Sequence, residues 1–233
     1  MNADSFCRPA GLPVAYLRSW RIAAAMKRRL VWGLLSLWLT LPAGLSGGEV
    51  GGSGVIKGTI TIDGRPTSDA VISVEGLPEE KPKTPDPKLQ TKKAVMDQRD
   101  MTFIPRVLAV PVGGTVDFLN SDRTFHNVFS TSEPKRFDLG LYSPGRSRSV
   151  TFETPGVVRV LCHVHPQMEA FIVVKGHPFF GVTDKRGNYQ LDNVPLGKYR
   201  LELWHPEFGV RAEPFNLARD GEVLAVDVDL KKR

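Results

Sequence analysis

From residue 54 to the C-terminus the apolar residues of this chain recur with a period of two, a pattern that builds strands and not helices. Ile56, Gly58, Ile60 and Ile62 alternate ahead of Asp63-Gly64, and Ala70, Ile72 and Val74 follow in the same rhythm. Val116 and Phe118, then Tyr199, Leu201 and Leu203, and finally Leu224, Val226, Val228 and Leu230 repeat it. Successive side chains of a strand point to opposite faces, so each run offers one apolar face to a core. Turn-forming residues punctuate the runs at Asp63-Gly64, Gly113-Gly114, Pro144-Gly145, Pro155-Gly156, Gly187-Asn188 and Leu196-Gly197. No stretch sustains the 3.6-residue period of an amphipathic helix. The expected class is all-β, built as sandwiches, and 233 residues suffice for two modest domains.

The first 47 residues stand apart. Lys27-Arg28-Arg29 precedes the apolar run LVWGLLSLWLTL at 30–41, and small residues follow through Gly48. A basic patch, a short apolar core and a small-residue zone make an export leader over residues 1–47, with the true start at Met1 or Met26. The run is short for a membrane span, so membrane attachment is expected only if the leader stays uncleaved. The expected location is the periplasm. Six of the 31 basic residues and one of the 25 acidic residues precede Gly48, leaving 25 against 24 and a net charge of +1. A near-neutral exported chain lacks the electrostatic footprint of a nucleic-acid binder.

Cys7 falls within the leader, so the exported chain keeps one cysteine, Cys162, in a compartment that oxidises free thiols. It sits in CHVHPQM, residues 162–168. At roughly three residues per turn, side chains at i and i+3 share a side, so Cys162, His165 and Met168 can converge while His163 faces elsewhere. The β-branched run at 157–161 and the apolar run at 171–174 flank this loop as strands, and His126 in FHNVF offers a second imidazole. Two imidazoles, a thiolate and a weak thioether form the donor set of a blue-copper centre. Zinc takes Cys and His but prefers a stronger fourth donor than a thioether. A Cys-His nucleophile would have no use for Met168 at matched spacing. Five histidines, at 126, 163, 165, 177 and 205, are too few for the additional clusters of a multicopper oxidase or copper nitrite reductase. His177 and His205 each precede proline and read as loop residues, so no enzymatic activity is expected.

GGTVDFLNSDRTFHNVFS at 113–130 and TFETPGVVRVLCHVHPQM at 151–168 resemble the cupredoxin family, specifically its plastocyanin and amicyanin branch. The resemblance implies a Greek-key β-sandwich over residues 90–176 and assigns His126, Cys162, His165 and Met168 as ligands of one copper ion cycling between Cu(I) and Cu(II). It also implies that Asn127 steadies the ligand loop. The chain departs from the family at Val160, where an aromatic is usual two residues before the cysteine, and at Glu169-Ala170 after the methionine. The implied function is single-electron transfer by a monomer between redox proteins such as a cytochrome c and a periplasmic dehydrogenase, with His165, framed by Val164, Pro166 and Phe125, as the port. The same residues could instead store or deliver copper.

Residues 77–88, LPEEKPKTPDPK, carry four prolines and mixed charge, which gives a linker over 77–89. A softer joint is expected at residues 175–178. The segments on either side, 54–76 and 177–231, together resemble one carboxypeptidase regulatory-like (transthyretin-like) sandwich through Thr183-Asp184, Gly187, Tyr189, Pro195, Gly197 and Tyr199. That resemblance makes this sandwich discontinuous, with the copper domain inserted into it and residues 54–75 pairing with strands beyond 178. Trp204 is expected in its core.

Overall fold

The computed structural model describes residues 52–77 and 94–231. The expected leader and most of the expected linker lie outside them. The first alternating run becomes β1 (Ser53–Ile62), which buries Ile56 and Ile60. Asp63 and Gly64 both take positive φ, 49° and 77°, and turn the chain into β2 (Arg65–Pro66). That Asp-Gly pair supplies the left-handed pair of residues that a tight hairpin needs. β3 (Val71–Glu75) follows.

Residues 94–175 form nine further strands. These are β4 (Ala94–Arg99), β5 (Thr102–Ile104), β6 (Val107–Pro111), β7 (Gly114–Asn120), β8 (His126–Ser130), β9 (Phe137–Tyr142), β10 (Ser147–Phe152), β11 (Gly156–Leu161) and β12 (Glu169–Lys175). They make two sheets, one ordered β10-β7-β4-β5 and the other β6-β12-β11-β8-β9. Inward-pointing Met96, Val116, Phe118, Val128, Phe152, Val158, Val160 and Ile172 fill the space between them. Phe137 bridges the aromatic part of this core, with its ring centroid 5.8 Å from Phe118 and 6.2 Å from Phe152.

The chain then builds β13 (Phe180–Val182), β14 (Asn188–Pro195), β15 (Gly197–His205), β16 (Gly209–Leu217), β17 (Val223–Ala225) and β18 (Val228–Leu230). β1 pairs antiparallel with β14 and parallel with both β17 and β18, while β3 lies between β13 and β15. The N-terminal segment is therefore stitched into strands more than a hundred residues away. Gly58 sits on the buried face of β1 between Ile56 and Ile60, and a Cβ there would lie 1.8 Å from the Val226 carbonyl oxygen. Only glycine lets the closing strand pass that close. The T-D-x-x-G-x-Y stretch is the turn into β14: the Asp184 carboxylate accepts the N–H groups of Arg186 and Asn188, at 2.8 and 2.9 Å. Tyr189 is buried and donates its hydroxyl to the Val226 carbonyl, 2.9 Å away.

The two sandwiches pack on each other through a third apolar cluster of Val71, Val107, Val173 and Trp204, flanked by Ala109, Val157, Phe171 and Val182. This explains β3, whose first four residues are all buried. Ile72 and Val74 face the core shared with β1, and Val71 faces the sandwich of residues 94–175. The alternation of Ala70, Ile72 and Val74 describes one face only, because the other is covered as well. Trp204 thus lies in this junction and not, as expected, in the core of its own sandwich. His205 is not a loop residue: it closes β15, buried, with Nδ1 accepting the Glu207 N–H and Nε2 facing the Thr67 hydroxyl. At the expected joint, residues 175–178, the Lys175 ammonium is held by Glu75 and Glu202, each at 2.8 Å.

That grip carries a pH prediction. The Glu75 carboxyl is held down at about 2, first by neighbouring His177 and then, against the opposing effect of burial, by Lys175 and Ser73. A carboxyl with a depressed native pKa contributes stability above its unfolded value and loses it as pH falls toward the native value. Stability is therefore expected to decline as pH drops from about 4.5 to about 2. Glu75→Gln should flatten that limb, as followed by denaturant midpoints across the range.

Candidate metal centre

The loops after β4, β7 and β11 gather at one end of the sandwich formed by residues 94–175. Asn120, the last residue of β7, is fully buried and organises the loop that follows. Its amide donates to the carbonyls of Thr124, at 3.0 Å, and Tyr142, at 3.2 Å, while its Oδ1 accepts the Asp122 N–H at 3.0 Å. The loop so shaped delivers His126 as the first residue of β8, with its ring entirely shielded.

Cys162 directly follows β11 and is the single cysteine among the described residues, free and buried. The residues after it do not form a regular three-residue helix. One i to i+3 bond, from Met168 N–H to the His165 carbonyl at 2.9 Å, closes the turn before β12 begins. Asn127 braces this loop from the side, its Oδ1 3.4 Å from the His163 N–H and its amide donating to Asp138 at 2.6 Å. His163 points away from the cysteine: its ring stacks on Phe129 with centroids 3.7 Å apart.

The structure brings His126, Cys162 and His165 together, with one donor atom of each within 4.8 Å of the others. His126 Nδ1 lies 3.9 Å from Cys162 Sγ and 3.0 Å from His165 Nδ1. An ion with bonds of about 2.0 Å to nitrogen and 2.3 Å to sulfur bridges donors separated by up to roughly 4.3 Å, so both measured separations suit a single shared metal. The donor set matches the soft thiolate and intermediate imidazoles that copper takes in both oxidation states. Met168 is fully buried in the core cluster that also contains Cys162, on the same loop and three residues beyond His165. His165 is partly exposed, while the other two are covered.

Sequence reasoning missed Asp122. Its Oδ2 stands 2.9 Å from His126 Nε2, on the opposite side of the ring from the thiol. Its carboxyl is lowered to about 2, first by the Met101 N–H, then by the His126 ring and the Arg123 N–H. The one signal available was an acidic residue four positions before the histidine within a turn, which is too common to single out.

Residues 90–175 match the family of copper binding proteins, plastocyanin/azurin family. Among solved structures the chain is similar to a Cu-containing nitrite reductase from Thermus scotoductus SA-01, with 26% identity and a TM-score of 0.36 over 37% of this chain and 23% of that one. The chain thus spans under a quarter of that reductase. It is also similar to a reduced Cu(I) amicyanin variant, with 27% identity and a TM-score of 0.34 over 36% of this chain and 82% of that one. A purple cupredoxin from Nitrosopumilus maritimus gives 25% identity and a TM-score of 0.33 over 36% of this chain and all of that one. No curated protein matches.

Proposed function

We propose that this chain, which carries a copper-binding domain of the plastocyanin/azurin type over residues 90–175, is an exported mononuclear copper protein that carries single electrons between periplasmic redox partners. The observation that carries the reading is the juxtaposition of one buried thiol with two imidazole Nδ1 atoms at the end of a packed sandwich. One copper ion bound there supplies the one-electron couple. The chain's own contribution is rigidity: β8, β11 and β12 fix the donors, so little needs to move when charge changes. Met168, buried on the same loop, would be a further weak ligand and would tune the potential.

The carrier reading over an enzymatic one is supported by the remaining histidines. His163 faces Phe129 and Asp138, His177 faces the Phe179 N–H and Glu75, and His205 faces Thr67 and Glu207. Each is occupied in a different place, and none joins a second cluster among the described residues. The other sandwich, similar to the carboxypeptidase regulatory-like family in its turn residues, acts as a rigid mount. The leader directs export, and the chain stays at the membrane only if that leader is retained.

Electrons would enter and leave at His165, the partly exposed ligand. Val164 beside it is 48% exposed and Phe125 is 52% exposed, giving this end an apolar rim suited to brief contact with a cytochrome c or a periplasmic dehydrogenase. With a net charge of +1 beyond the leader, docking should depend weakly on salt. Val164→Asp is expected to slow stopped-flow electron exchange on the order of tenfold, the cost of about 1.4 kcal/mol at a contact, and to leave the visible spectrum unchanged. Slow electron exchange in the unaltered protein, with rapid loss of Cu(I) to a chelator, would replace the carrier reading with one of copper delivery.

A further inference from the structure

A fully buried imidazole needs a partner for each ring nitrogen, and which nitrogen keeps the proton decides what the other can do. The Nδ1 of His126 faces Cys162 and His165, and its Nε2 faces the Asp122 carboxylate at 2.9 Å. An ionised carboxylate only accepts, so Nε2 carries a proton, and in the neutral ring Nδ1 then presents a lone pair. The tautomer required of a metal ligand is thus selected by a contact that involves no metal.

Asp122 is built for this task. Its side chain is 12% exposed and held from three directions. The Met101 N–H donates to Oδ2 at 2.8 Å, the Arg123 N–H donates to Oδ1 at 2.8 Å, and Asp122's own N–H is tied to Asn120. The Met101 amide is aimed by an unusual turn: Asp100 and Met101, neither of them glycine, take φ of 51° and 53°. Left-handed residues with side chains cost of order 1 kcal/mol each and persist where the surroundings demand them. Met101 also touches the ligand loop, where the Gln167 amide meets its sulfur at 3.9 Å. One hairpin tip therefore braces both the Asp122–His126 pair and the segment between His165 and Met168.

We propose that Asp122 is a positioning residue that holds His126 as the Nε2–H tautomer and, as a fixed negative charge behind the ligand, favours the oxidised over the reduced metal. Its second half rests on the copper reading of the site, and its first half does not. Partners of this kind orient metal-bound histidines and raise their basicity, and their loss typically weakens metal binding 10- to 100-fold, roughly, in characterised sites.

The test separates charge from hydrogen bonding. Asp122→Asn keeps an acceptor for the Nε2–H and removes the charge, whereas Asp122→Ala removes both. In the metal-free protein, long-range proton–nitrogen NMR should show His126 as the Nε2–H form in the native chain and in Asp122→Asn, and as a tautomer mixture in Asp122→Ala. In the copper-loaded protein both variants should lose Cu(II) affinity relative to Cu(I) by about tenfold, a rise in reduction potential of about 59 mV for one electron. Asp122→Asn should keep the native visible spectrum, which a merely structural disturbance would not. A native tautomer mixture, or an unchanged potential in both variants, overturns the proposal. If even the native chain takes up no copper, the reading of the site fails while the NMR result still decides whether Asp122 sets the tautomer.

Discussion

Cys162→Ser is expected to abolish the intense visible absorption of the copper-loaded protein and to weaken Cu(II) binding by more than any other single change in the loop. Thiolate is the soft donor that a copper site shared between two oxidation states depends on, and a serine hydroxyl is neither soft nor ionised at neutral pH. Cys162 is the single cysteine among the described residues, so no neighbour there can take over. The change is nearly isosteric in a buried position, which confines its cost to stability to about 1–3 kcal/mol for a hydroxyl lacking a partner. The folded protein should therefore survive, colourless. Absorption and copper titration of the variant check this, and a variant that stays coloured would show that the thiol is not the donor.

Trp204→Ala should be the most destabilising of the substitutions considered, by about 3–5 kcal/mol, because it empties the junction between the two sandwiches. Trp204 is buried, and its ring centroid lies 5.4 Å from that of Phe171, which projects from β12 of the other sandwich. β12 also starts immediately after the ligand loop. A double-mutant cycle with Phe171→Ala should return a coupling of about 0.5–3 kcal/mol, since the two rings share one contact. Strictly additive losses would mean that the sandwiches are merely tethered. Because Trp204 packs on the far side of β12 from the core that holds Cys162 and Met168, the copper spectrum of the folded variant should be kept.

Period-two alternation made the strands at 54–62, 114–120, 197–205 and 223–230 legible, since a strand with one buried face writes that face directly into its sequence. It could not say which strands are covered on both sides. Val71 and Ser73 alternate out of phase with Ile72 and Val74, yet all four are buried, Val71 because a second sandwich lies against it. The same layering hid His205, whose neighbouring proline pointed to a loop while the burial of β15 keeps the ring inside. In the site, Cys162 and His165, which the structure brings together with His126, stood out by chemistry and spacing along one loop, and Met168 lies buried on that loop. His126 was legible only as a residue type, since 36 positions separate it from Cys162 and the pairing of β8 with β11 brings them together. Asp122 and the Met101 turn left no trace in pattern at all. Their roles depend on a backbone amide and a carboxylate aimed across a loop, and no periodicity encodes such aim.

The proposed function depends on one copper ion shared by His126, Cys162 and His165. Anomalous diffraction at the copper edge, on crystals of the copper-loaded chain, tests it most directly. The expected result is one strong peak within about 2.0–2.3 Å of His126 Nδ1, His165 Nδ1 and Cys162 Sγ, with Met168 on the same side of the loop. A peak elsewhere on the molecule, or a thiol sulfur well beyond bonding distance from the metal, would contradict it.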